Sequence, residues 1–231
     1  MGRYSRNMKM LTPEENNKLG ECKVCVIGCG GLGGYIIEML ARLGIGIITA
    51  VDGDVFEESN LNRQLLSDMT TLGKSKAETA KHRIEVVNPL VHIRSVNERI
   101  SEKNAHSILE GHDVIVDAVD NIHTRFIIQR EAEKLNIPFV HGAIAGWYGQ
   151  VSTILPGDNT LDYIYPSEDV KGMEQELGNP SFTPALVASI QASEVLKILI
   201  NRGELLRGKL LLINTFDQSY ELIEMNIWFT T

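Results

Sequence analysis

The sequence predicts an α/β protein with a mostly parallel, doubly wound sheet that ends in a C-terminal antiparallel strand pair. Short apolar runs alternate with longer segments of helical periodicity up to residue 144, and strands that alternate with helices form parallel sheets. A glycine-rich turn joins the first apolar run to the first helical segment. Because we find no repeats and no dividing linker, we predict a single domain over residues 1–231.

The first half of the chain reads as alternating strands and helices. We predict, in order, strand 23–28, helix 31–43, strand 44–54, helix 74–87, strand 91–96 and helix 101–110. The helix that begins at residue 74 ends at Asn88-Pro89, because proline disfavours helical geometry in the residue before it. Residues 1–20 precede these elements as an N-terminal arm.

The second half continues the pattern and then departs from it. We predict strand 113–120, helix 122–135, strand 137–144, helix 183–200, and a final strand pair, 209–214 and 220–225. Thr183 is the expected N-cap of the long helix, with Pro184 in its first turn. Residues 156–182 are rich in Gly, Pro, Asp and Glu without periodicity, which predicts a long, mobile crossover loop.

Composition narrows the classes of function. The 231 residues are 43% hydrophobic and 23% charged, as in an ordinary soluble globular protein. The formal net charge of −8 disfavours nucleic-acid binding, which uses a basic surface. We expect no membrane-spanning segment, because no apolar run approaches the required length, and the N-terminus lacks the apolar centre of a signal peptide. The expected location is the cytoplasm.

Three cysteines lie close together, at Cys22, Cys25 and Cys29. Their spacing invites a metal-binding interpretation. However, an offset of three residues along a strand points the first two side chains to opposite faces, and Cys29 lies in the glycine turn. We therefore predict small buried side chains in a reducing compartment.

The turn GCGGLG at residues 28–33 fits the pattern G-x-G-x-x-G between a strand and a helix. The first glycine allows a tight turn, the second lets a phosphate approach the backbone, and the third packs the helix on the strand. An acid that follows the next strand can accept hydrogen bonds from ribose hydroxyls. The pattern predicts a Rossmann-like nucleotide site that contains Gly28, Gly30, Gly31, Gly33 and Asp52.

Two cations downstream favour ATP over a dinucleotide. Arg63 and Lys76 both follow the second predicted strand in an otherwise acidic chain. Hydride transfer has no general need of them, whereas an enzyme that acts on a triphosphate must neutralise phosphate charge.

At this point the sequence resembles the ThiF/MoeB/HesA adenylyltransferases, which are related to the activating enzymes of ubiquitin-like proteins. The resemblance extends over most of the chain. It is carried by RYSRN at 3–7, GCGGLG at 28–33, VDGDVFEESNLNRQ at 51–64, GKSKAE at 73–78, DAVDNIHTR at 117–125 and ALVASIQASEVLKIL at 185–199.

The resemblance implies ATP-dependent adenylation of a carboxylate, typically the C-terminal Gly-Gly of a small ubiquitin-like sulfur carrier. The products are an acyl-adenylate and pyrophosphate. The resemblance places Asp52 and Asp54 by the ribose, and Asn60, Arg63 and Gln64 by the phosphates and the reacting carboxylate. Lys76 corresponds to a phosphate-binding lysine, Asp120 to the acid that holds Mg²⁺, and Arg6 to an arginine supplied by the other subunit of a homodimer.

The sequence departs from the family at its cysteines. Many relatives hold a structural Zn²⁺ with two Cys-x-x-Cys pairs, but DYIYP at 162–166 and the tail MNIWFTT contain no cysteine. We therefore expect no zinc. Some relatives carry a further cysteine before the last long helix for covalent transfer, where this chain reads KGMEQELGNPSFTP. We expect adenylation without covalent attachment of the carrier.

Three other side chains are expected to be structural. His141, at the end of a strand, is predicted to be a semi-buried residue with satisfied hydrogen bonds, and contact with a ligand is the alternative. Trp147 and Tyr148 are predicted to pack against neighbours, and the alternative is that they line a channel for the carrier's tail.

Three other functions stay open at this stage. Zinc-free relatives act instead on a carboxylate of a modified tRNA base, threonylcarbamoyladenosine, and dehydrate it to a ring; the lack of a basic run weighs against this. A catalytically silent partner subunit is disfavoured because Arg63, Lys76 and Asp120 are all present. An NAD(P) oxidoreductase is the weakest alternative.

Overall fold

A computed structural model describes residues 2–169 and 172–225, with the exception of the side chains of residues 174 and 175. Within these described residues, eight strands form one sheet in the order β3-β2-β1-β4-β5-β6-β7-β8. The strands are β1 Lys23–Ile27, β2 Ile47–Val51, β3 His92–Val96, β4 Val114–Asp117, β5 Phe139–Ala145, β6 Tyr148–Ile154, β7 Lys209–Asn214 and β8 Ser219–Glu224. The first five are mutually parallel and the last three join in antiparallel register, so the predicted fold class is confirmed.

Helices cover both faces of the sheet. They are α1 Pro13–Leu19, α2 Gly31–Leu43, α3 Lys76–Val87, α4 Ala105–Leu109, α5 Ile122–Lys134, α6 Thr160–Ile164, α7 Glu174–Leu177 and α8 Phe182–Ile200. Apolar side chains of α2, α3 and α8 form one core with one face of the sheet, and those of α4 and α5 form a second core with the other face. The two cores make the sheet doubly wound.

The cysteines divide between these cores. Cys22 and Cys29 belong to the first and Cys25 to the second, and all three are buried free thiols. The prediction of small buried side chains on opposite faces is confirmed.

Several elements were not predicted. Helix α1 begins with a capping box at Thr12 and a proline in its first turn. Strand β6 follows β5 after a two-residue turn and pairs with it. The segment 156–182 contains the short helices α6 and α7, and its residues 170 and 171 lie outside the described part of the chain. Whether this segment is mobile stays a prediction.

Two predictions about α8 are wrong. Thr183 is not its N-cap: the helix begins at Phe182, and the Thr183 hydroxyl instead donates a hydrogen bond to the Gly146 carbonyl at 2.7 Å. The statement that no apolar run approaches the length of a membrane span is also wrong, because α8 is long and apolar enough by length and composition alone. Half of that apolar stretch is buried inside the fold, where α8 packs on α2 and β5, as expected of a core helix.

Candidate active site

The glycine turn after β1 depends on two glycines that no other residue can replace without movement. Gly28 has φ +96°, and a Cβ there would lie 2.4 Å from the Ala118 carbonyl oxygen. A Cβ on Gly33 would lie 1.7 Å from the Gly28 carbonyl oxygen, so this glycine lets α2 pack directly on the turn, as predicted. The helix begins at Gly31 after the N-cap residue Gly30, which provides no side-chain cap, so the first N–H groups stay available to an anion.

Asp52 ties the turn after β2 to the glycine turn. One carboxylate oxygen accepts a hydrogen bond from the Cys29 N–H at 2.8 Å, and the other accepts from the Asp54 N–H at 2.8 Å. Burial raises the pKa of Asp52, although both backbone hydrogen bonds and nearby Lys76 oppose that rise. Asp52 therefore holds the backbone of both turns in place, and it also lines the cavity beside them.

A cavity of about 480 Å³ opens at the carboxyl ends of β1, β2 and β4. Because β2 and β4 lie on opposite sides of β1, their following loops diverge here, as at ligand sites of doubly wound sheets. Among the predicted site residues, the lining contains Gly28, Gly30, Gly31, Asp52, Asp54, Arg63, Gln64, Lys76 and Asp120.

The two predicted cations reach this cavity from different segments. Lys76 is the buried first residue of α3, and its Nζ lies 3.8 Å from an Asp54 carboxylate oxygen. Arg63 lies in the loop after β2, where its Nη1 donates to the Ser59 carbonyl at 3.0 Å. Both charges are thus held at the wall of the cavity before any ligand enters.

Gln64 presents an unsatisfied polar atom in the same region. Its side chain is buried, and its Oε1 has no hydrogen-bond partner among the residues described. A buried acceptor without a partner is costly, and a donor on a bound ligand can remove that cost.

Three predicted residues are not part of the lining. Gly33 packs beneath the turn, as described above. The buried Asn60 accepts a hydrogen bond from the Glu57 N–H at 3.1 Å and so supports the loop that carries Arg63. Arg6 is exposed on the N-terminal arm.

The arm is fixed at the other end of the sheet. Tyr4 packs on Gly44, and its hydroxyl accepts a hydrogen bond from Asn88 Nδ2 at 2.8 Å. Gly44 and Asn88 precede the amino ends of β2 and β3, whereas the cavity lies at carboxyl ends. Strands of five residues span roughly 16 Å. This separation places Arg6 away from its own chain's cavity.

The side chains at the cavity suit Mg²⁺, which binds together with substrate phosphates and water, better than a metal held by protein ligands alone. In the part of the chain that the structure describes, no three His, Cys, Asp or Glu side chains form a metal-binding group. Asp120 is exposed at the cavity and makes no hydrogen bond or ion pair with the described residues. Mg²⁺ is usually bound through one or two carboxylates together with substrate phosphates and water, so a lone carboxylate at a phosphate site fits it.

The structure adds lining residues that sequence reasoning missed, chiefly Arg99 and Arg125. Arg125 is buried; its Nη2 donates to the Val119 carbonyl at 2.7 Å, and its Nε lies 3.2 Å from an Asp117 carboxylate oxygen. It stands at the end of the stretch DAVDNIHTR, which was a usable signal. Arg99 lies in the loop between β3 and α4, where no sequence motif indicated a functional residue.

His141 belongs to the network around Arg125. Contrary to the expectation of a semi-buried residue at a strand end, it lies inside β5 and is fully buried. Its Nδ1 lies 2.7 Å from Asp117 Oδ2, and its Nε2 lies 3.1 Å from Gln150 Nε2. Burial lowers the pKa of His141, and the bond to Asp117 opposes this, so the ring is satisfied inside the protein, as predicted.

A second, more apolar cavity of about 660 Å³ adjoins the first, and Arg125 and Ile144 line both. Tyr148 is half exposed on its wall. Trp147 instead stacks near Phe182 and Phe216, with ring centroids 4.9 and 5.5 Å away, which confirms the predicted aromatic packing for this side chain.

Comparison with known proteins gives consistent results. A model of the ThiF family matches residues 4–227. The chain is 36% identical to a protein named SAMP-activating enzyme E1 from Haloferax volcanii, covering 96% of this chain and 84% of that protein. It is 35% identical to a sulfur carrier protein adenylyltransferase from Thermus thermophilus, covering 95% and 85%. It covers only 59% of some longer relatives.

The fold also matches solved structures. The structure of E. coli MccB with ATP superposes with a TM-score of 0.84 at 23% identity, covering 97% of this chain and 72% of that one. At this level of identity the likeness is one of fold.

Proposed function

This chain belongs to the ThiF family, and we propose that it is an ATP-dependent adenylyltransferase that activates the C-terminal carboxylate of a small ubiquitin-like sulfur carrier. The observation that carries the proposal is the convergence of the glycine turn, Arg63, Lys76 and Asp120 on one cavity. The two relatives described above are named for this class of activity.

The chemistry requires positioning and charge neutralisation more than proton transfer. A carboxylate is already an anion at neutral pH, so its oxygen attacks the α-phosphorus of ATP without a general base. The bond between the α- and β-phosphates breaks, and pyrophosphate leaves with the electron pair, which yields an acyl-adenylate. The obstacle is the approach of an anion to a polyanion, and preorganised cations lower that barrier.

This chain's groups suit those tasks. The N-terminus of α2 and the side chains of Lys76 and Arg63 face the phosphates, where their positive charge offsets charge on the transferred group. Asp52 and Asp54 are proposed to accept from the ribose. Asp120 would hold Mg²⁺, which supplies further neutralisation of phosphate charge when bound.

The second cavity is the proposed route for the carrier's tail. It is mostly apolar, large enough for an extended glycine-ended segment, and next to the nucleotide cavity, with which it shares Arg125 and Ile144 as lining residues. We propose that the terminal carboxylate passes along it to the α-phosphate.

A homodimer is part of the proposal. Since the arm is fixed at the far end of its own sheet, we propose that Arg6 reaches the nucleotide cavity of a second copy of the chain. The site would then be complete only in the dimer.

The alternatives have less support. A silent subunit has no use for Arg63, Lys76 and Asp120 at one cavity wall, and hydride transfer does not need two cations at the phosphate site. No observation described above favours a tRNA substrate.

ATP–pyrophosphate exchange tests the proposal. Purified protein is assayed with a panel of small ubiquitin-like proteins that end in Gly-Gly, and each is also supplied without its last glycine. We expect exchange with at least one intact carrier and none with its truncated form. Asp120→Asn and Arg63→Ala should each lower the rate on the order of 100-fold, because each removes one preorganised charge.

The control is Arg83→Ala, which removes an arginine that pairs with Glu38 outside the cavity. This variant should keep its exchange rate. Exchange at a near-normal rate in Asp120→Asn or Arg63→Ala would mean that the active site is misplaced.

A further inference from the structure

The loop between β3 and α4 carries Arg99 to the rim of the nucleotide cavity, and its backbone is held firmly. Asn104 Nδ2 donates to the Arg99 carbonyl at 3.1 Å and to a Glu98 carboxylate oxygen at 3.0 Å. Asn104 Oδ1 accepts from the Ser101 N–H at 2.7 Å. One asparagine thus fixes both sides of Arg99, so the guanidinium projects from a preformed loop.

The same loop packs directly on the turn after β2. A Cβ on Gly53 would lie 2.7 Å from Arg99 Cγ and 2.8 Å from its backbone nitrogen. Only glycine permits this approach. The structure thereby brings Arg99 next to the two acids, Asp52 and Asp54, that flank Gly53.

The Arg99 guanidinium binds one oxygen of Asp54. Its Nε and Nη2 donate to Asp54 Oδ1 at 3.1 and 2.7 Å, and Lys76 Nζ lies 3.8 Å from Oδ2. The Arg99 side chain is 81% exposed, and an ion pair this exposed contributes little to folding stability. The role of this ion pair therefore lies at the cavity and not in the stability of the fold.

We propose that Arg99 is a positioning residue that sets selectivity for the ribose by holding Asp54 in the orientation that accepts from the ribose hydroxyls. Without Arg99, the 3.8 Å ion pair with Lys76 is the side-chain contact that remains to orient the Asp54 carboxylate, and the carboxylate can turn toward solvent. Asp52 has fewer acceptor sites to offer, since each of its oxygens already accepts one hydrogen bond from a backbone amide. This inference rests on the proposed function, in that a nucleotide must bind in this cavity.

Calorimetric titration with ATP and with 2′,3′-dideoxy-ATP, without a carrier, tests the inference. The wild-type protein should bind the dideoxy analogue at least about tenfold more weakly, because hydrogen bonds to a charged acceptor are lost. In Arg99→Ala that ratio should fall below about threefold, while Arg99→Lys should recover part of it. Gly53→Ala, which displaces Arg99, should behave like Arg99→Ala.

Arg83→Ala is the matched control, because Arg83 also binds a carboxylate through Nε and Nη2, at 3.0 Å each, but outside the cavity. It should keep the wild-type ratio. The inference is overturned if Arg99→Ala weakens both nucleotides by the same factor, or if the wild-type protein does not distinguish them. A wild-type protein that binds no ATP contradicts the proposed function itself, and the inference with it.

Discussion

At the scale of single residues, the three cysteine thiols decide how an activated carboxylate is handled. Burial raises the pKa of Cys29 and of Cys25 well above the ordinary thiol value, and burial followed by the charge of Asp113 raises that of Cys22. The attacking species in thioester formation is the thiolate. These thiols stay protonated near neutral pH and are inaccessible to a carrier.

We therefore predict that the carrier leaves as an adenylate and is never held as a thioester. Protein, ATP, Mg²⁺ and a carrier active in the exchange assay are incubated and run on a non-reducing denaturing gel. Mass spectrometry of the carrier should detect the adenylate, and the gel should contain no thiol-sensitive band at the summed mass. Such a band, lost in Cys29→Ser, would refute this, and zinc at one equivalent per chain would refute the companion expectation about metal.

The residues that the sequence identified differ from those it missed in a physical way. Arg63, Lys76 and Asp120 belong to stretches whose residue types and spacing are tied to phosphate chemistry. Arg99 reaches the cavity only because Asn104 and Gly53 fix its loop, which is a contact between turns distant in sequence. Periodicity and local motifs carry no information on such contacts.

At the scale of elements, a buried carboxylate joins the helices α2 and α3. Glu38 on α2 binds Arg42 on the same helix and Arg83 on α3. Burial alone would raise the pKa of Glu38, but the hydrogen bonds from Arg83 and Arg42 outweigh it and lower the pKa below its usual value. A lowered carboxyl pKa contributes stability above the unfolded-state pKa, and that contribution is lost as pH falls through the folded-state pKa.

Glu38→Gln should therefore lower the free energy of unfolding by about 1.5 kcal/mol at pH 7, measured by urea denaturation. The difference from wild type should begin to shrink near about pH 4.5, where Glu38 is protonated in the unfolded chain, and should be lost as pH falls through the lower folded-state pKa. Glu85→Gln is the control, because Glu85 is half exposed on α3 and its one ion pair among the described residues is with exposed His82, so the change should cost under about 0.5 kcal/mol. Equal costs for the two variants, or a difference that does not depend on pH, would contradict this assignment.

Elements with strong periodicity were predictable, and those set by tertiary contact were not. The alternation of strands and helices gave the parallel sheet, but β6 follows β5 through only Gly146 and Trp147, where Gly146 has φ +57°. A two-residue turn that contains glycine is typical of a β-hairpin, and this feature was not used in the prediction. Thr183 is a residue type that often caps helices, but its hydroxyl donates a hydrogen bond to the Gly146 carbonyl, and α8 begins one residue earlier, at Phe182.

At the scale of the whole molecule, the sheet order explains why the cavity forms where it does and why the N-terminal arm lies far from it. The loops after β2 and β4 separate on either side of β1, which opens the cavity at their carboxyl ends. The N-terminal arm is anchored by Tyr4 and Asn88 at the opposite ends of the strands. This location depends on contacts between Tyr4 and the residues that end α2 and α3, Gly44 and Asn88. No pattern in the sequence of the arm predicts such contacts.

A mixed dimer tests whether Arg6 acts across a subunit boundary. Arg6→Ala and Lys76→Ala chains carry different affinity tags, and the heterodimer is isolated after subunit exchange. If Arg6 acts in the partner's cavity, one site of the heterodimer combines an intact Lys76 with an intact Arg6, and the other site lacks both. Each homodimer should then be nearly inactive in carrier-dependent ATP–pyrophosphate exchange, and the heterodimer should recover up to about half of the wild-type rate per dimer. Pairing Arg6→Ala with the Arg6→Ala/Lys76→Ala double variant should recover nothing, since no intact site can form. If the heterodimer of one Arg6→Ala chain and one Lys76→Ala chain is also inactive, Arg6 acts within its own chain; if the Arg6→Ala homodimer keeps the wild-type rate, Arg6 has no part in the reaction and the anchored arm has another purpose.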